Sequence, residues 1–99
     1  MKEPTKEQIK KFWEKCGLHY TVPYWLDKND ALAFYGEVYS ELLRNLDLNN
    51  LFKYAVPLVL AKIGRDNLLK LVSDALCGAI RLKVKFEDTL FWAIWEVIK

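Results

Sequence analysis

The segment TLFWAIWEVIK, residues 89–99, constrains this chain more than any other. Eight of its eleven residues are apolar, and two are tryptophan. Read at 3.6 residues per turn, Thr89, Trp92, Glu96 and Lys99 share one narrow edge, and every other position is apolar. A helix with so broad an apolar face has to be covered on several sides. It is expected to pack as a central element, against a first helix and a helix beginning at Asp47. Phe91 and Trp95 are expected in the core. Trp92 is the odd residue, an aromatic on the polar edge. Asp88 or Thr89 is the expected cap.

Ninety-nine residues bound the fold to one domain, 1–99, with a single core. The apolar share of 53% excludes a disordered chain. A net charge of +2 is too small to imply nucleic acid by bulk electrostatics. Cys16 and Cys77 both fall on apolar helical stripes, which predicts two small buried hydrophobes in a reduced cytosol, with no disulfide. The start of the chain carries no apolar signal region. The longest uncharged apolar run, YAVPLVLA, has eight residues where a bilayer needs about 20. These features predict a soluble, cytoplasmic protein with no membrane partner.

Punctuation along the chain predicts the elements. Thr5 and Gln8 form a capping box, Ile9, Phe12, Trp13 and Cys16 share one helical face, and Gly17 ends the first helix. HYTVPYWL is rich in β-branched and aromatic residues, DKND is a turn cluster, and ALAFY follows. A hairpin with Pro23 on an edge strand fits, followed by a short helix near EVYSELLRN. The rival is a helix from Asp30 with Leu32, Tyr35, Tyr39, Leu42, Leu43 and Leu46 on its face.

Asp47 would cap a helix with Leu48, Leu51, Phe52, Ala55, Val59 and Ile63 inward, disturbed near residues 53–57 by Pro57 and ended by Gly64. Leu58 and Leu60 extend its apolar surface almost all round. Asp66 would cap another helix, with Leu68, Leu69, Val72 and Leu76 inward and Gly78 as its stop. AIRLKVKF alternates strictly, which predicts a half-buried strand with Arg81, Lys83 and Lys85 outward. The whole reads as an α+β fold: a predominantly helical single domain with a small β-hairpin or short antiparallel sheet covered by helices.

EQIKKFWEKCG, LDLNNLFKYAVP and TLFWAIWEVIK resemble segments of short proteins encoded by prophages and phages, grouped as phage ABA sandwich domains. The resemblance covers about a third of the chain. It implies helices over a small sheet and a phage-type accessory protein in a bacterial host cytoplasm, and it brings no activity with it.

Chemistry-bearing motifs are sparse. Cys16 and His19 give half of a zinc spacing, with Cys77 as the one other soft ligand, so no metal site is expected. The four glycines, 17, 36, 64 and 78, are isolated and form no phosphate loop. No nucleophile with its base, no carboxylate pair and no cofactor motif stands out, so the chain is not expected to be an enzyme. The surplus aromatics Tyr20, Tyr24, Trp25 and Trp92 point to a protein interface, with an unknown partner or a second copy. The second reading is nucleic acid, through a basic patch of Lys6, Lys10, Lys11, Lys15, Arg81, Lys83 and Lys85.

Overall fold

The computed structural model describes residues 3–21, 24–35 and 48–99. Helix α1 spans Lys6–Lys15. Its start is the expected capping box: the Gln8 amide donates to Thr5 Oγ1 at 3.2 Å, and the Thr5 amide donates to Gln8 Oε1 at 2.8 Å. Its end is a Schellman turn. Gly17 has φ 92°, the Gly17 amide donates to the Glu14 carbonyl, and the Leu18 amide donates to that of Trp13. The turn drives Leu18 into the core beside Ile9, Phe12 and Trp13.

Three short strands follow: β1 (His19–Thr21), β2 (Tyr24–Leu26) and β3 (Leu32–Tyr35). They form an antiparallel sheet in the order β1-β2-β3. HYTVPYWL therefore supplies two strands that pair with each other, not one. Tyr20 opposes Trp25, and Trp25 opposes Phe34. The β2–β3 turn is built by Asp27, whose Oδ1 accepts from the amides of Asn29 and Ala31 at 2.8 and 3.0 Å. Asp30 takes the left-handed conformation at φ 61°. A strand at Leu32–Tyr35 decides for the hairpin over a helix from Asp30. The helix expected near EVYSELLRN and the cap expected at Asp47 lie outside the described residues.

From Leu48 a helical path runs through α2 (Leu48–Asn50), a π-helical turn (Leu51–Ala55) and α3 (Val56–Ile63). The π-turn is the form that the disturbance from Pro57 takes. Proline has no amide to donate and its ring crowds the carbonyl four residues back. Widening the preceding turn, so that the Val56 amide reaches the Leu51 carbonyl, relieves both. The Tyr54 hydroxyl in that turn donates to the Ala33 carbonyl at 3.0 Å, fastening β3 to the helix. Leu51, Ala55 and Val59 are buried as expected, but Phe52 and Leu60 are exposed, so this helix is not covered all round.

Gly64 alone joins α3 to α4 (Arg65–Leu82). Its φ of 83° and ψ of 169° lie in a region that only glycine occupies readily. Asp66 falls in the first turn of α4 and is not its cap. Gly78 does not stop the helix either. The predicted strand at 80–86 is absent: α4 continues to Leu82, and Lys83, left-handed at φ 56°, caps it. Strict alternation over AIRLKVKF misleads because residues two apart on a helix point to nearly opposite sides, so Ile80 and Leu82 share no buried face, and both are largely exposed. Leu69 and Leu76 are exposed as well, and the buried positions of α4 are Ala75 and Ala79.

The last helix, α5 (Phe86–Ile98), begins earlier than expected, with Lys85 preceding it. Asp88 lies in its first turn, where partial burial and the nearby carboxylates of Glu3 and Glu87 raise its pKa against the pull of Lys85. Leu90, Phe91, Ile94 and Ile98 are buried, so α5 is the central element its sequence predicts. The Phe12 ring lies 4.6 Å from that of Phe91, joining α1 to α5. Trp95 departs from expectation: it stacks at 6.4 Å on Phe91 but is only half-buried. Thr89, expected on a polar edge, is buried, and its hydroxyl donates to the Ala75 carbonyl of α4 at 2.8 Å.

Candidate interaction surface

Between α4 and α5 runs an open groove of about 640 Å³. Its floor is apolar: Leu71, Ala75, Gly78 and Leu82 from α4, with Trp92 and Ala93 from α5. Asn67, Lys70 and Asp74 line the α4 rim, and Glu96 the other. The groove exists because Ala75, Gly78 and Ala93 are small, which leaves space where larger residues would close the seam. Gly78, taken in sequence for a helix stop, acts instead as a missing side chain, and a Cβ placed there meets nothing within 4 Å. The recoverable signal was the small-residue spacing of Ala75 and Gly78 within an otherwise helical pattern. Trp92 stands edge-on to Phe91 at 4.9 Å, held by the core on one side and open to the groove on the other.

The other aromatic candidates divide. Trp25 is fully buried under the sheet and cannot serve as a contact residue, because its cross-strand partners place it on the core face of the central strand β2. Tyr20 is half-buried, with its ring 5.0 Å from that of Trp25. The side chain of Tyr24 lies outside the described residues. Tyr20, Trp25 and Trp92 do not form one surface: Trp92 belongs to the α4–α5 groove, whereas Tyr20 and Trp25 belong to the sheet.

The basic candidates also divide. Lys6, Lys10, Lys11 and Lys15 are exposed on α1, but Glu7 and Glu14 fall among them on the same outward face. Glu14 shares a shallow concavity with Lys11 and Lys15. Arg81, Lys83 and Lys85 are exposed, yet they sit on a helix end, a left-handed cap and a helix start, so no strand aligns them. Among the described residues, interleaved carboxylates and the missing strand leave these seven cations in no unbroken track of the kind a phosphate backbone follows.

Cys16 and His19 do not meet a third ligand: among the described residues no group of three His, Cys, Asp or Glu side chains could hold a metal ion. His19 Nε2 instead lies 3.0 Å from Asp30 Oδ1, linking β1 to the β2–β3 turn. Burial pushes the Cys16 thiol up to about 12. Cys77, expected to be buried, is exposed on α4, and both thiols are free. Among the described residues no helix is long and apolar enough to cross a membrane. Comparison with known proteins finds no family model, no curated protein and no solved structure that matches this chain.

Proposed function

We propose that the protein works by binding another protein, with the α4–α5 groove as its contact surface. Trp92 carries this reading: it is a large aromatic held in place by Phe91 and open to an apolar groove with a polar rim. Such anchors supply contact area at little entropic cost and recur at the centres of interfaces. A groove lined from Asn67 to Leu82 along α4, with an apolar floor deepened by Ala75, Gly78 and Ala93, fits an amphipathic helix of the partner, laid in by its apolar face. Resemblance of three segments to short phage-encoded proteins supports a phage-type accessory role, which needs no chemistry of its own.

The test is an affinity capture from bacterial lysate with wild type, Trp92→Ala and Lys11→Ala. A partner held by wild type and Lys11→Ala but lost by Trp92→Ala supports the groove. A partner lost by Lys11→Ala and retained by Trp92→Ala overturns it. Random duplex DNA should bind no tighter than the non-specific range, about 10⁻⁴ to 10⁻⁶ M near physiological salt.

A further inference from the structure

Helix α4 is held unevenly along its length. At Ala75 it is pinned: the residue is buried, and its carbonyl accepts the Thr89 hydroxyl at 2.8 Å. Beyond Gly78 little holds it. From Ala79 to Lys85 only Ala79 is buried, and its side chain is one methyl group. Ile80 and Leu82 are 71% and 53% exposed, so the last turn gains little from burial. Its closure is narrow as well. The amides of Lys83 and Val84 both donate to a single carbonyl, that of Ala79. Lys83 sits at φ 56°, where a residue with a Cβ is strained. Glycine gives up more freedom in a helix than any other residue, and Gly78 stands just before this turn. Ile80 and Val84 are β-branched and favour an extended chain.

The geometry points to residues 79–84 opening as one unit, hinged at Gly78, and to this last turn as a gate at one end of the α4–α5 groove. Loss of the Ala79 carbonyl as an acceptor releases Lys83 and Val84 together, so the turn has no stable half-open form. Gly78 and Leu82 both line the groove. Uncoiling residues 79–82 raises the advance per residue from about 1.5 to about 3.3 Å and frees about 7 Å of chain. That slack lets Leu82 swing out while Thr89 stays bonded to Ala75.

Leu71, Ala75, Trp92 and Ala93 keep the rest of the floor. The groove therefore has a fixed part and a movable end. With Leu82 in place it takes a short apolar face, and with Leu82 withdrawn it takes a longer one. A partner that needs the longer form binds with its affinity reduced by the fraction of molecules that are open. What the gate serves rests on the groove being a contact surface; the opening itself does not.

Amide hydrogen exchange of the full chain, read residue by residue by NMR at neutral pH, tests the opening with no partner present. The amides of Arg81, Leu82, Lys83 and Val84 should share one protection factor, at least about tenfold below those of Val72 and Ala75. Gly78→Ala, whose Cβ meets nothing within 4 Å, should raise all four together by about fivefold. Lys83→Gly should raise them together by about threefold. Protection equal to that of Val72 and Ala75 overturns the proposal. Protection that falls one residue at a time from Arg81 to Val84 marks ordinary fraying of a helix end and overturns it too. So does a Gly78→Ala variant that leaves the four amides unchanged. Failure here leaves the lysate capture to decide the groove, and a groove that captures nothing leaves the opening standing.

Discussion

Phe91 and Trp92 are neighbours in sequence with different environments, and their replacement separates core from surface. Phe91 is fully buried against Phe12, so Phe91→Ala should cost about 3–5 kcal/mol. Trp92 is half-buried on an open groove, so Trp92→Ala should cost no more than about 2 kcal/mol. Urea unfolding of the two variants checks the order, and equal losses would mean that the groove wall is part of the core. The two thiols make a second contrast. A thiol with its pKa near 12 stays protonated at pH 8, and the thiolate is the nucleophile. Iodoacetamide at pH 8 should therefore add to Cys77 in the folded protein and reach Cys16 only in denaturant, one adduct becoming two by mass spectrometry. Both cysteines fall on apolar stripes in the sequence, yet Cys16 is only partly buried against the core and Cys77 is exposed. The stripe of α4 is wider than the face that its neighbours cover, and Cys77 lies beyond that face.

The elements were legible wherever a local signal decides. Thr5, Gln8 and Gly17 bound α1 as read, and Asp27 to Asp30 make the turn that DKND announces. Legibility failed where periodicity alone had to choose. Ile80 to Phe86 alternate as a strand would, but α4 gains more by extending to Leu82, where Lys83 can close it. The site was half legible for the same reason. Trp92 stood out as an aromatic on an edge, but the groove beside it is made by what Ala75, Gly78 and Ala93 lack.

The two corners of α4 predict substitutions of opposite sign. Gly64→Ala meets no neighbouring atom, yet it should cost about 1–3 kcal/mol through backbone strain alone. Lys83→Gly relieves a left-handed cap and should stabilise by about 0.5–1 kcal/mol. Thermal melts of both variants decide, and a destabilising Lys83→Gly would show that the lysine side chain contributes at that cap.

At the scale of the molecule, the chain divides into a helical half, α3 to α5, and a half in which α1 and the sheet close over it. The turn cluster between two β-rich runs foretold the sheet of the α+β class, and the apolar tail foretold the central place of α5, since a helix with so broad an apolar face has to be covered on several sides. Which helix faces meet was not foretold, because that depends on side-chain volumes across the α4–α5 seam.

Gly64 and the short link at Lys83 have a kinetic consequence. Contacts among α3, α4 and α5 close small loops, whereas Phe12 on Phe91 and Tyr54 on Ala33 join segments distant along the chain. Short closures lose less chain entropy before contacts reward them. The helical half should therefore assemble in the rate-limiting step, with the sheet and α1 ordering afterwards. Thr89→Val, at the α4–α5 bond, should then slow refolding, with a φ-value above about 0.5, whereas Tyr54→Phe should mainly speed unfolding, with a φ-value below about 0.3. Stopped-flow chevrons of the two variants read this directly, and the reverse order would place the nucleus at the sheet.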